Sequence, residues 1–312
     1  MANPCSPPLT AALPAPPRGL YHFSLWVVVA VLVLIKVGAL VTSTNSGLAY
    51  VSWPLADGQV WPADINTQGK WEMGHRYVGM VIGLLTIALA LAVRTFDPRP
   101  WLARVSYGLL ALVCVQGAIG ALGVFQNLPV WNSASHGVLA QVILCGFAFV
   151  TFALSPAWRE RHRGRTAEVK TARKLAVFAL GLVFGQVLVG ALARHAKTVE
   201  GGWSLVWLHV SLALFVSFAI LVAASYASGR FRHVPGLSKL TRAGLGVLLA
   251  QIALGFATLA VRGGGKWTAA PEDLGRALVI SGHVVCGSLL ALGSTLLVAR
   301  VWRNLVPENG SS

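Results

Sequence analysis

Long apolar runs separated by short polar segments dominate the chain. Eight of these runs are long enough to cross a bilayer core of roughly 30 Å as helices. They are predicted at residues 22–42, 74–93, 101–123, 134–154, 172–194, 205–227, 239–261 and 276–301. Of the 312 residues, 55% are hydrophobic and only 11% are charged, whereas a soluble domain carries far more charge. The pattern predicts an all-α membrane protein with eight transmembrane helices.

The odd-numbered runs share a short motif. A Gln precedes a Gly by four residues in three of them, as Gln116–Gly120, Gln186–Gly190 and Gln251–Gly255; the first run keeps Gly38 but has Leu34 in the Gln position. Residues four apart lie on one helix face, where Gly admits a neighbouring backbone or a flat ligand and the amide can bond across helices. Helix packing alone also explains this motif. In either case the repeat predicts two pseudo-symmetric four-helix bundles in the same orientation.

The repeat and the polar segments divide the chain into five parts. The first twenty residues are rich in Pro and Ala and have no basic segment ahead of a short apolar one, so we interpret them as a disordered tail rather than a cleaved signal. The predicted parts are a tail at 1–21, an N-terminal half at 22–154, a basic linker at 155–174, a C-terminal half at 175–303 and a tail at 304–312.

The formal net charge of +15 is unevenly distributed. Most Lys and Arg residues fall in the two tails and in alternate connections, most densely at 159–174. The positive-inside rule then places both termini in the cytoplasm, which agrees with an even number of helices. We expect a multi-pass protein of a bacterial cell (inner) membrane whose basic segments meet anionic headgroups of the lipid bilayer. We expect no binding to nucleic acid.

The four cysteines do not indicate a disulfide or a covalent haem. Cys5 lies in the predicted N-terminal tail, and Cys114, Cys145 and Cys286 lie within apolar runs. Because no outer connection holds a cysteine, we expect no disulfide on the oxidising side of the membrane. The chain also lacks the CxxCH motif of c-type haem attachment.

Four histidines lie near the starts of the even-numbered runs, at matched depth: His75, His136, His209 and His283. The repeat relates His75 to His209 and His136 to His283. A polar ring at membrane depth is expensive, and neutral imidazole is a common iron ligand. A single such histidine is as readily a satisfied core residue, but the set predicts two haems, each held by two imidazoles from neighbouring helices.

The other histidines are interpreted differently. His22, His162 and His233 lie at the basic ends or in basic loops, where solvated side chains are expected. His195, next to Arg194, is either an interfacial residue or a contact for a haem carboxylate, and the sequence does not separate the two.

Glu72-Met73-Gly74-His75 is the sharpest local motif. A carboxylate three residues before a candidate iron ligand lies on the same helix face, and acidic residues are scarce, ten in all. Glu72 is therefore a candidate catalytic residue, with a cap at the start of the second helix as the alternative. Arg76 is placed to pair with a haem propionate, although an interfacial position also explains it. Lys36 lies deep in the first run. Its side chain either snorkels to the membrane interface or contacts a propionate or a substrate tail, and both alternatives stay open.

Two outer loops are expected to border these residues. The first, at 43–73, contains Trp53, Trp61 and Trp71; because Trp favours the membrane interface, we expect this loop to fold over the helix ends as a lid. A second, flexible loop is predicted at 262–275.

Taken together, these residues resemble the haem A synthase family of cytochrome oxidase assembly proteins. The resemblance covers nearly the whole chain. Its most specific elements are Val41-Thr42-Ser43-Thr44-Asn45-Ser46-Gly47-Leu48, Trp53-Pro54-Leu55, Glu72-x-x-His75-Arg76, and the three further histidines of the even runs.

The resemblance implies both an activity and a division of the sites. It implies that haem O is oxidised at its C8 methyl to a formyl group, giving haem A, with Glu72 as the essential carboxylate. It implies a haem b cofactor held by His209 and His283, and substrate haem O bound near His75 and His136. A haem O synthase is a plausible partner for substrate delivery, and homo-oligomerisation stays open.

One feature departs from many bacterial members of the family. They carry a cysteine pair in the first outer loop, and this chain has none there, which points to a cysteine-free subgroup. Two rival functions stay open: a membrane di-haem b-type electron-transfer protein, and a non-catalytic haem carrier or assembly factor.

Overall fold

The computed structural model describes residues 17–196, 202–261 and 273–308, and eight long helices dominate them. The helices are α1 (Arg18–Ser43), α2 (Thr67–Phe96), α3 (Pro100–Phe125), α4 (Val130–Leu154), α5 (Thr166–His195), α6 (Gly202–Arg230), α7 (Leu237–Val261) and α8 (Leu274–Arg303). Each is long and apolar enough to cross a membrane. The prediction of eight membrane-spanning helices is confirmed.

Several helices begin before the predicted apolar runs. The largest difference is in α2, which begins at Thr67 rather than at 74 because the side chain of Asn66 caps it, accepting a hydrogen bond from the Gly69 N–H at 2.8 Å. The cap supplies an acceptor to an amide that has no partner within the helix. Likewise α5 begins at Thr166 rather than at 172, and α1 begins at Arg18. These additional turns are polar, so hydropathy alone misses them.

The helices pack in the same order in both halves of the chain. In the first half α1 contacts α2 and α4, and α3 contacts α2 and α4. In the second half α5 contacts α6 and α8, and α7 contacts α6 and α8. The halves meet where α1 and α4 pack on α8 and α4 packs on α5. This recurrence agrees with the internal repeat, while the symmetry axis itself stays a prediction.

The two faces of the helix bundle differ in the residues that they carry. We call the face with the start of α1, the α4–α5 connection and the end of α8 the basic side, and the opposite face the histidine side. On the basic side, β1 (His162–Gly164) pairs in parallel with β2 (Leu305–Pro307). The connection between the halves is therefore fastened to the segment that follows α8.

Two cations join α1 to the second half. The Lys36 ammonium donates to Ser281 Oγ on α8 at 2.8 Å. The Arg194 guanidinium, on α5, donates to the Ala39 carbonyl at 2.9 Å and to Ser43 Oγ at 2.8 Å. Partly buried hydrogen bonds of this kind compensate for the lost hydration of charged groups. Lys36 therefore binds another side chain of the protein. Neither of the two predicted alternatives included such a partner.

Candidate functional site

The four histidines of the even-numbered helices form two pairs. The ring centroids of His75 and His136 lie 6.4 Å apart, and those of His209 and His283 lie 6.3 Å apart. The ring planes cross at 71° in the first pair and 77° in the second. One pair belongs to each half of the chain, so the structure brings the predicted partners together.

The depth of the rings differs from the prediction. His75 and His136 do not open their helices, because α2 begins at Thr67 and α4 at Val130. Both rings, like those of His209 and His283, lie about two turns beyond the start of their helix. With the observed helix starts, the four histidines lie at more similar depths than the predicted apolar runs implied.

The spacing within each pair fits an iron ion held between two imidazoles. A metal about 2 Å from one nitrogen of each ring places the ring centroids about 6 Å apart. In all four rings, moreover, the Nδ1 atom is buried and has no hydrogen-bond partner. Across the described ranges no cluster of three or more His, Cys, Asp or Glu side chains could hold a metal. The two imidazoles of each pair would therefore suit a haem iron held between them better than a zinc-type centre.

A glycine on the preceding helix contacts each imidazole. A Cβ atom built at Gly190 would lie 2.7 Å from His209 Cε1, and one at Gly38 would lie 2.8 Å from His75 Cε1. Gly120 and Gly255 stand in the same relation to His136 and His283, at 3.2 and 3.3 Å. Real Cβ atoms do not approach other atoms as closely as the first two distances. The repeated glycine thus provides the space in which the rings lie.

The repeated glutamine contacts the same histidines. The Gln116 amide donates to the His136 carbonyl at 3.0 Å, and the Gln186 amide donates to the His209 carbonyl at 2.9 Å. The amide nitrogens of Gln186 and Gln251 each lie 3.3 Å from the Nε2 atom of their histidine. Leu34 takes this position in α1, so the His75 ring has no such amide beside it. The sequence motif indicated contacts across helices but not that the histidines receive them.

A substitution at Gly190 tests the role of the glycines. We expect Gly190→Ala to displace the His209 ring, at a cost of about 1–3 kcal/mol for overpacking, and to weaken haem retention in the C-terminal half. The measurement is the haem-to-protein ratio of the purified protein by absorption. Gly185→Ala, five residues away on the same helix and facing open space, is the matched control and should retain full haem. Equal haem content in both variants would contradict the assignment.

Glu72 is buried, with 4% of its surface exposed. Its Oε2 atom accepts hydrogen bonds from the backbone N–H groups of Ala49, at 2.7 Å, and Tyr50, at 3.1 Å. Its Oε1 atom forms an ion pair with Arg76. Since Asn66 caps α2, the alternative that Glu72 is the cap is wrong. Glu72 binds the first outer loop instead.

Arg76 is fully engaged with that loop. Its guanidinium donates to the carbonyl oxygens of Ser52, at 2.8 Å, and Tyr50, at 3.2 Å, as well as to Glu72. No sequence signal identified these carbonyl partners, because they depend on the conformation of the loop. The pairing of Arg76 with a haem propionate stays a prediction.

The first loop of the histidine side, predicted at 43–73, spans residues 44–66 and folds back over the start of α2. Trp61 stacks on Tyr77 with ring centroids 6.2 Å apart, which agrees with the predicted lid. Trp71 lies within α2 rather than in the loop and packs against Leu40 of α1 and Ala277 of α8. The second predicted loop, at 262–275, falls almost entirely outside the described residues.

Eight membrane-spanning helices with a partly buried imidazole pair in each half define a multi-pass membrane protein with two candidate haem sites. The model of the family described as cytochrome oxidase assembly protein matches residues 21–263. The match covers well over half of the chain. The chain therefore belongs to the cytochrome oxidase assembly protein family, as its resemblance to haem A synthases implied.

Individual relatives carry a more specific name. Proteins named Heme A synthase from Brucella ovis and Brucella suis are 33% identical to this chain over 138 residues, which are 41% of this chain and 38% of each relative. The protein of the same name from Brucella anthropi is 32% identical over 138 residues, 41% of this chain and 39% of its own length. The matched segment thus spans about two fifths of these relatives.

Proposed function

We propose that this protein is a haem A synthase, an oxidoreductase that converts the C8 methyl group of haem O to a formyl group for cytochrome oxidase assembly. The observation that carries the proposal is the pair of imidazole sites, with centroids 6.4 and 6.3 Å apart. The name of the Brucella relatives supports it. Glu72, one turn from His75, distinguishes one site from a simple electron carrier.

The two pairs are assigned different roles. His209 and His283 would hold haem b as a resident cofactor, and His75 and His136 would bind haem O as the substrate. When bound, haem b supplies one-electron oxidation and reduction. The contacts support this division, because an amide lies beside Nε2 of both His209 and His283 while His75 lacks one. The substrate haem must leave the site after the reaction, and an imidazole that no amide holds in place suits that release.

Glu72 would act by electrostatic stabilisation. The change from methyl to formyl removes four electrons, which an external acceptor must take, and adds one oxygen atom from an external source. A fixed carboxylate nearby would stabilise the positive charge that develops on the electron-poor carbon. Both oxygens of Glu72 already accept hydrogen bonds, which favours this role over proton transfer. Arg76 is then a positioning residue, since it holds Glu72 and the first loop in one arrangement.

Pigment extraction tests the proposed activity. The protein is co-produced with a source of haem O, and the extracted haems are separated by chromatography. We expect a formyl-bearing haem A that is absent when the chain is not expressed. Haem b as the sole pigment, with haem O left unconverted, would instead support a di-haem electron-transfer protein or a haem carrier.

We also propose an orientation for the protein in its membrane. The positive-inside rule puts the basic side in the cytoplasm of a bacterial cell, with both termini there and the histidine pairs toward the outer face of the inner membrane. Haem O is poorly soluble, so we propose that a haem O synthase in the same membrane delivers it. Labelling of Cys5 by a membrane-impermeant maleimide should require disruption of the membrane, and labelling of intact cells would reverse the orientation.

A further inference from the structure

A groove of about 600 Å³ lies between the two halves, toward the basic side. Its volume is within the range of about 300–1,000 Å³ that is typical of small-molecule sites. Three helices line it, with Val142 and Phe149 from α4, Leu180 and Phe184 from α5, and Thr295 and Trp302 from α8. Its walls are almost entirely hydrocarbon, and they lie in membrane-spanning helices, so an apolar chain is the natural occupant.

One end of the groove carries an arginine, Arg303. Arg303 stacks on Trp158 at 4.5 Å, and its Nε atom donates to the Trp158 carbonyl at 2.8 Å. Arg99 also lies over this Trp ring, at 5.9 Å, but Asp97 pairs with it at 2.6 Å. Among the residues that the structure describes, no carboxylate lies within salt-bridge distance of Arg303. The groove therefore combines an apolar channel with a cation at its interfacial end.

The groove is separate from the histidine pairs. Cys145, which lines it, follows His136 by nine residues in the same helix. Nine residues at 3.6 per turn are two and a half turns, so the two side chains lie on opposite faces of α4. A substrate tail that left the His75–His136 site would have to pass around this helix. The groove is therefore not an extension of the proposed haem site.

We propose that this groove binds an anionic phospholipid, with one acyl chain between α4, α5 and α8 and the phosphate on Arg303. Arginine forms strong charge-assisted hydrogen bonds with phosphate, and basic pockets between membrane helices suit anionic headgroups. Trp158 and Trp302 suit the interfacial depth of the headgroup. An uncharged isoprenoid would supply no anionic group for the Arg303 guanidinium. The bound lipid bridges the two halves.

Lipid retention by the purified full-length protein tests this inference. The protein is incubated in detergent with an equimolar mixture of phosphatidylglycerol and phosphatidylcholine, and retained lipid is measured by native mass spectrometry. We expect wild-type protein to retain phosphatidylglycerol preferentially. Arg303→Gln should lower that retention about tenfold, as expected for the loss of a hydrogen bond to a charged group. Val142→Trp, which fills the groove, should lower retention of both lipids.

Matched controls separate this site from general lipid contact. Arg242→Gln removes an exposed cation at the start of α7, and Leu214→Trp enlarges a side chain on α6 that is 72% exposed; both should retain phosphatidylglycerol as wild type does. Arg303→Lys keeps the charge and should therefore keep much of the preference for phosphatidylglycerol. This variant provides a second test if Arg303→Gln folds poorly. Equal retention of both lipids by wild type, wild-type behaviour of Arg303→Gln, or a retained quinone in place of phospholipid would each overturn the inference.

Discussion

Replacing His283 with methionine is expected to remove or strongly perturb the b-type absorption spectrum of the purified protein. The His283 ring lies 6.3 Å from that of His209, so the substitution leaves a single imidazole where two would hold the iron. Because the ligands set the spectrum and potential of a haem, we expect the signal of two-imidazole ligation to fall at least tenfold per protein, with a different spectrum in its place if the methionine binds the iron. His209→Met should have the same effect. The measurement is the difference spectrum between reduced and oxidised protein.

A second histidine pair provides the control. The rings of His162 and His233 are 6.1 Å apart on the basic side, and His162 pairs with Glu160 at 3.6 Å. His233 is exposed, and within the described ranges no glycine lies against these rings. His233→Met should therefore leave the spectrum unchanged. If it removes the b-type signal while His283→Met retains it, the resident haem is assigned to the wrong pair.

Replacing Glu72 with alanine is expected to stop haem A formation while the b-type spectrum of the other pair is retained. Removing one group that stabilises charge in a transition state commonly lowers the rate about 10²–10³-fold. Glu72 also accepts from Ala49 and Tyr50, so alanine disturbs the loop as well as the charge. Glu72→Gln keeps an oxygen acceptor for these N–H groups and removes the charge, together with the acceptor that Arg76 uses. It should lose haem A formation to a similar extent.

A buried ion pair on the other side of the membrane controls for general destabilisation. Asp97 is 6% exposed and pairs with Arg99, much as Glu72 pairs with Arg76. Asp97→Ala should lower stability without a selective loss of haem A formation. Wild-type yields of haem A from Glu72→Gln would remove Glu72 from the mechanism and leave it the structural role of fastening the first loop.

Much of the fold could be predicted because the membrane imposes a simple rule. The backbone N–H and C=O groups of every span must form hydrogen bonds within the protein, so a long apolar run is predicted to be a helix. The Gln-x-x-x-Gly repeat of α3, α5 and α7 predicted two equivalent halves, and the resemblance to the family implied the pairing of the histidines within each half. The close contact of Gly190 with His209 is the physical basis of that repeat.

Other features depend on tertiary structure that no local pattern contains. The bonds of Arg76 to loop carbonyls exist only once residues 44–66 have folded over α2. The bond of Lys36 to Ser281 crosses between the halves over a long sequence separation. The first turns of α2 were missed because they are polar and depend on the cap at Asn66.

Electron paramagnetic resonance of the oxidised, haem-loaded protein tests the central claim most directly. If imidazoles from neighbouring helices close on one iron, the resident haem gives a low-spin ferric signal of two-imidazole ligation, and His209→Met or His283→Met abolishes it. A high-spin, singly ligated haem in the wild type, or an unchanged two-imidazole signal in both variants, would contradict the account, whereas a different low-spin signal in a variant reports methionine as the new ligand.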